Sequence, residues 1–412
     1  MFQSFSILLL LVAVFSLLNQ RTIKLPNSIA LMILGVFMAL AITIIKPLFP
    51  EVYDSLCELI VNANFEDLLF NALLSFLLFA GAIHVDFGKL LKQKKFIISF
   101  ATLSVLLSTF LVAVLLYGVA LLVQVELDFV HALMFGALIS PTDPVAALAI
   151  LKKTSIKEEL IVAIEGESLF NDGVGVVVFS GVLIWFNSLS SMESTGISYE
   201  ILTLFLEEVV GGIVFGLALG YGGYLLIKAA RANYELKLIS SLAVASAGYS
   251  IALALEVSAP LAMVVAGILI GNKLHLNTEK DEAHEFFNKF WNVLDEVLNG
   301  VLFLLIGLSL HLITFSPGLL LIGILTILLV LLSRYISVLI PYSIFKSGAK
   351  EKGVVSILSW GGLRGGISLG LAMSLPESEM RDIIIFLTFV VVAFSIIVQG
   401  LTIDKLVKRF KV

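Results

Sequence analysis

The sequence predicts an all-α polytopic membrane protein of about thirteen transmembrane helices. They are arranged as inverted repeats of six around a linker helix, with crossed broken helices at the fifth and twelfth spans. Composition, the sorting of basic residues and two matching helix breaks carry the prediction. Of the 412 residues, 59% are hydrophobic and 14% charged, whereas soluble domains run near 25% charged. The apolar residues fall in long blocks between short charged loops, not in the alternating short strands of a membrane barrel.

Candidate spans lie near 4–20, 26–46, 67–85, 96–124, 129–151, 158–187, 200–228, 234–255, 259–272, 285–313, 317–345, 353–375 and 383–404. With the N-terminus outside and every span crossing, the inside loops take all 26 Lys and Arg except Lys46, Arg381, Arg334 and Arg364. The first two fall outside, and Arg334 and Arg364 lie within spans. This is the asymmetry that cytoplasmic loops show. It places the chain in the plasma (or inner) cell membrane, multi-pass, with the C-terminus cytoplasmic. The first apolar run, MFQSFSILLLLVAVFSLL, has no preceding basic residue and no small-residue cleavage site, so a retained helix is expected. The lone Cys57 excludes an internal disulfide or a Cys-based metal site. No basic patch suggests nucleic acid, and no phosphate-binding G-x-x-x-x-G-K-[ST] loop suggests an ATP-driven pump.

An odd number of crossings makes spans 1–6 start outside and spans 8–13 inside, with span 7 as connector. Span 5 is interrupted by SPTDP (140–144) and span 12 by WGGLRGG (360–366), each the fifth of its half. Freed backbone at membrane depth survives only where it lines a cavity or is packed in protein, and paired breaks mark a transporter binding site.

Charges collect at the same depth. Asp143 lies roughly 20 Å along span 5, Asp172 a similar distance into span 6, and Arg364 midway along span 12. A charge there costs on the order of 2.5–3.5 kcal/mol on insertion scales and needs a partner or a task. In EGESLFNDG (165–173), Ser168 and Asp172 share one face at i, i+4, while Glu167 and Asn171 form a neighbouring stripe. Glu165 lies two turns inward of Asp172. Ser168 and Asp172 are expected to face an ion, and Glu167 to anchor to Arg334 or Arg364. Asp143 would balance the positive half-helix ends in span 5, and Arg364 the negative ends in span 12. Asp143, Asp172, Ser168 and a freed carbonyl near Thr142 are hard oxygen ligands suited to sodium. A carboxylate holds a metal cation or a proton in competition, so alternate exposure of one site would exchange them. A channel would want a continuous pore. An enzyme built on Ser168 would need a base, and the five histidines do not converge at midplane depth.

These segments, together with FWNVLDEVLNGVLFLLIGL (290–308), SRYISV (333–338) and GGLRGGISLGLAMSLP (361–376), resemble the monovalent cation:proton antiporter-1 family. This family holds the NhaP-type sodium/proton antiporters and the animal sodium/proton exchangers. The resemblance implies electroneutral, one-for-one exchange of Na+ or Li+ (alternatively K+) for H+, by an elevator-like movement in a homodimer. No cofactor is implied. Asp172 would bind cation and proton in turn, with Asp143, Thr142, Ser168 and Asn171 completing the site. Asn171 marks the electroneutral class, and Glu167 would pair with Arg334. The single transporter unit, 1–412, would divide into ion-translocating helices within 67–187 and 285–404 and dimer or scaffold helices within 1–46 and 200–272. Ala80 stands where many such antiporters carry a span 3 acid, which bears on selectivity. The regulatory tail of the animal exchangers is not expected. Glu165 and Glu296, beside Asp295, are expected along an inner funnel. Gly211, Gly212, Gly216 and Gly220 are expected as helix contacts.

Overall fold

The computed structural model describes residues 2–410 apart from 52, 55–64, 124, 126, 155, 192–196, 232, 278–281, 314–316 and 346–352. Cys57 lies outside the described residues. The described structure is nearly all helix. Nine of its helices are long and apolar enough to cross a membrane, and shorter apolar helices cover 74–83, 129–139 and 259–274.

Several spans depart from regular geometry. Span 5 is two half-helices, Phe129–Ile139 and Val145–Leu151, and span 12 is Val354–Gly361 and Gly366–Met373. Spans 3, 4 and 13 each contain a π turn, at Leu69–Leu73, Phe100–Ser104 and Ser395–Gln399. Such turns carry one extra residue per turn and occur where packing or function requires an offset. Two boundaries differ from expectation. Span 9 was expected to be short, and its helix runs Ala259–Asn277. Span 13 was expected to end near residue 404, and it continues through its π turn into Gly400–Phe410. Ile403 and Val407 of that extension are buried, because one face packs on Val145–Leu151 and Val354–Gly361.

Span 3 packs on span 9, and span 10 packs on span 2. Small residues let the backbones approach. A Cβ at Gly307 of span 10 would fall on Met32 O and on Gly35 Cα, and one at Gly271 of span 9 on the Ile83 backbone. Gly212, Gly216 and Gly220 of span 7 meet Ser258, Ala262 and Ala266 in the same way. Spans 3 and 10 are therefore packed closely against spans 9 and 2. Their glycine seams hold them there. The outer surface is apolar, with Leu10, Phe37, Val214, Ile239 and Ile324 among the exposed side chains, as lipid contact demands.

Replacing Gly307 by Leu forces two backbones apart with no flexible side chain to yield. Overpacking of this kind costs about 1–3 kcal/mol, so thermal unfolding in detergent should begin several degrees lower than in the native chain.

Candidate functional site

The two broken helices cross at their breaks. Asp143 N donates to Leu363 O at 2.8 Å, and the two residues form an isolated antiparallel bridge. Four half-helix ends meet there, two positive N-termini and two negative C-termini, each worth about half a charge.

Charged side chains answer all four. Asp143 Oδ1 accepts from Val145 N at 2.8 Å, capping the second half of span 5. Its carboxylate also lies over Gly365, where any Cβ would collide with it, beside the N-terminus of Gly366–Met373. Arg364 donates through Nη1 to the carbonyls of Ser140 and Pro141, which close Phe129–Ile139. Arg334 donates through Nη2 to Leu358 O at 3.4 Å, at the end of Val354–Gly361. Thus Arg364 does not serve the ends of its own span, as expected, but those of span 5. The crossing brings its guanidinium across to the other break. The glycines of WGGLRGG follow from this, since a Cβ at Gly362 would strike the Arg334 guanidinium.

Span 6 supplies the remaining groups. Arg334 Nη2 lies 2.7 Å from Glu167 Oε1, with both side chains almost fully buried. Asn171 Nδ2 donates to Thr142 Oγ1 at 2.7 Å, and its Oδ1 accepts from Thr142 N at 3.3 Å. Ser168 Oγ donates to Thr142 O. The unwound Thr142 is therefore held through both its backbone and its side chain by span 6. Asn171 is fully buried and its amide is spent on Thr142. Both bonds position Thr142. An amide offers a donor and an acceptor together, which a carboxylate cannot.

A cavity of about 750 Å³ reaches this point from the end of the bundle that carries Lys152 and Lys153. Thr142, Asp143, Ser168 and Asp172 line its depth, while Glu165, Asp295 and Glu296 line its path. Asp143 and Asp172 are partly exposed to it. Most acids along the cavity are engaged. Asp143 caps a helix, Asp295 Oδ1 accepts from Asn299 Nδ2 at 3.0 Å, and Glu165 pairs with Lys152 at 2.7 Å. Asp172 makes no hydrogen bond or ion pair among the described residues. Ala80 also lines the cavity, so the missing span 3 acid would have faced it. Asp86, outside the cavity, caps a short helix by accepting from Lys89 N at 3.1 Å. Sequence reasoning left Asn299 unmentioned. Its i+4 spacing from Asp295 was a signal on the page.

Removing one partner of a buried pair strands the other charge and costs about 3–5 kcal/mol. Arg334→Ala should therefore lower the melting temperature sharply. The double variant Glu167→Ala/Arg334→Ala should lose less than the sum of the single losses, as a double-mutant cycle by thermal unfolding would measure.

The description "Sodium/hydrogen exchanger, transmembrane" matches residues 7–409. The chain is 40% identical over 404 residues to the Na(+)/H(+) antiporter NhaP of Pseudomonas aeruginosa, covering 95% of this chain and 92% of that one. It is 31% identical over 406 residues to the Na(+)/H(+) antiporter NhaH of Halobacillus dabanensis, covering 98% and 96%. Its fold matches the sodium proton antiporter MjNhaP1 of Methanocaldococcus jannaschii with a TM-score of 0.76 at 21% identity, over 99% of each chain. The fold, the broken-helix crossing and these relationships converge on one conclusion: the chain is a multi-pass membrane protein belonging to the sodium/hydrogen exchanger family.

Proposed function

We propose that the chain exchanges Na+ or Li+ for H+ across the membrane, one for one, with Asp172 carrying cation and proton alternately. The single observation that carries this reading is the state of Asp172. It is a carboxylate lining the cavity, beside the crossing, with no partner among the described residues. An unpaired charge at such depth is expensive unless a ligand answers it. Thr142 O, Ser168 Oγ and the second oxygen of Asp143 are the hard neighbours a small cation needs. Binding either one cation or one proton at Asp172 moves one charge each way. Asn171, uncharged and tied to Thr142, adds no second titrating group.

The cavity then represents the inward-facing state, since its mouth carries Lys152 and Lys153, which charge sorting places inside. Movement of the crossing and spans 4–6 and 11–13 against a scaffold seamed by spans 2, 3, 9 and 10 would expose Asp172 to the other side. The apolar outer faces suit a bilayer and a second copy of the chain. Orientation in the plasma (or inner) membrane with the C-terminus cytoplasmic rests on the sorting of lysine and arginine. Ala80 leaves the cavity one carboxylate short, which favours a test of K+ beside Na+ and Li+.

The deciding experiment is proton flux in proteoliposomes bearing a preset pH gradient, on addition of Na+, Li+ or K+. Cation-dependent dissipation by the native chain, unaffected by clamping the membrane potential and abolished in Asp172→Asn, is expected. A folded, inserted protein that answers no cation would overturn the reading. Lys152→Gln removes a positive charge from the cavity mouth and frees Glu165. The apparent KM for the cation should fall severalfold at low ionic strength, and the effect should shrink as salt screens the funnel.

A further inference from the structure

A second, much smaller cavity of about 10 Å³ lies behind the crossing, away from the ion path. Arg334, Ser359, Gly362, Arg364 and Gln399 form its polar wall. Arg334, Ser359 and Arg364 are at most 8% exposed. Arg334 Nε, Arg364 Nη2 and Ser359 Oγ have no hydrogen-bond partner among the described residues. A buried polar group left without a partner costs about 1–3 kcal/mol, more when charged, so three beside one cavity require an explanation.

The remaining wall supplies an acceptor. Gln399 Oε1 accepts from Ser395 Oγ at 2.7 Å, and Gln399 Nε2 donates to Trp360 O at 3.2 Å. These bonds fix the amide and leave the second lone pair of Oε1 available. Ser359 Oγ can also accept.

We propose that this cavity holds a single water molecule that bridges Arg334 and Arg364. It accepts from Arg334 Nε and Arg364 Nη2 and donates to Ser359 Oγ and Gln399 Oε1. Size and charge choose water over an anion. The space is about one water sphere, the lower limit of roughly 10–15 Å³ for occupancy, and a halide is larger. The demand for an anion is reduced, because Arg334 has Glu167 as counter-ion at 2.7 Å and Arg364 spends Nη1 on the partly negative carbonyls that close Phe129–Ile139. Four partners is the upper end of the roughly two to four hydrogen bonds that a buried water makes. The water joins the Glu167–Arg334 pair to the crossing, so span 11 and both breaks share one hydrogen-bonded network.

The test is a high-resolution structure of the native chain grown in chloride and, separately, in bromide, with Ser359→Ala and Ser359→Val beside it. A solvent peak within hydrogen-bond distance of Arg334 Nε and Arg364 Nη2, without bromide anomalous signal, is expected. Ser359→Val fills the space, expels the water and strands both guanidinium donors, so its melting temperature should fall well below that of Ser359→Ala. A dry cavity at a resolution that shows other buried waters would overturn the proposal. So would an anomalous bromide peak, which would make the occupant an anion, or Ser359→Val melting with the native chain. Should Ser359→Val not fold, the native density still decides.

Discussion

Everything at the centre of this molecule depends on neutralising four half-helix ends in a low-dielectric interior. Breaking a helix at membrane depth frees carbonyls and amides that lipid cannot satisfy. The chain meets the demand by crossing two breaks, so that each supplies what the other lacks. Asp143 of span 5 sits against both positive ends. Arg364 of span 12 and Arg334 of span 11 reach the negative ends. Because these charges are consumed structurally, Asp172, beside the crossing and without a hydrogen bond or ion pair among the described residues, stands apart from Asp143 in chemistry.

The same economy explains the local sequence. The glycines around Arg364 are close-approach residues, needed because a carboxylate and a guanidinium lie directly on the backbone. Ser168 and Asn171, one helical turn apart from Asp172 and Glu167 respectively, give span 6 a face that clamps Thr142. Glu167 reaches the other way, to Arg334. One stretch of nine residues thus serves two adjoining networks, which is why it carries so much charge amid apolar sequence.

Much of this was legible in the sequence. Charge sorting offered an order of crossings, because each loop reports its side independently. The breaks were legible because Pro and Gly act locally. The neighbouring stripes of Ser168–Asp172 and Glu167–Asn171 followed from helical periodicity. What was hidden depends on contacts between helices far apart in the chain. Nothing local says that Arg364 reaches Ser140 rather than its own span, or that Asn171 is occupied by Thr142. The alliance of spans 3 and 10 with spans 9 and 2 rests on glycine seams such as Gly35 against Gly307, whose partners sequence alone does not name. The π turns left no compositional mark. The extension of span 13 was masked by its lysines, which read as a solvated tail although Ile403 and Val407 are buried.

That extension has a mechanical consequence. The helix Gly400–Phe410 rests on the near halves of both broken spans at once, and Trp360 Nε1 donates to Thr402 Oγ1 at 2.9 Å. It is a splint across the joint. A push or pull delivered to the end of this helix, by a fused domain or a bound partner, is transmitted to both halves together. The breaks would shift as one rigid piece instead of hinging separately, which keeps their four compensated ends in register while the piece moves.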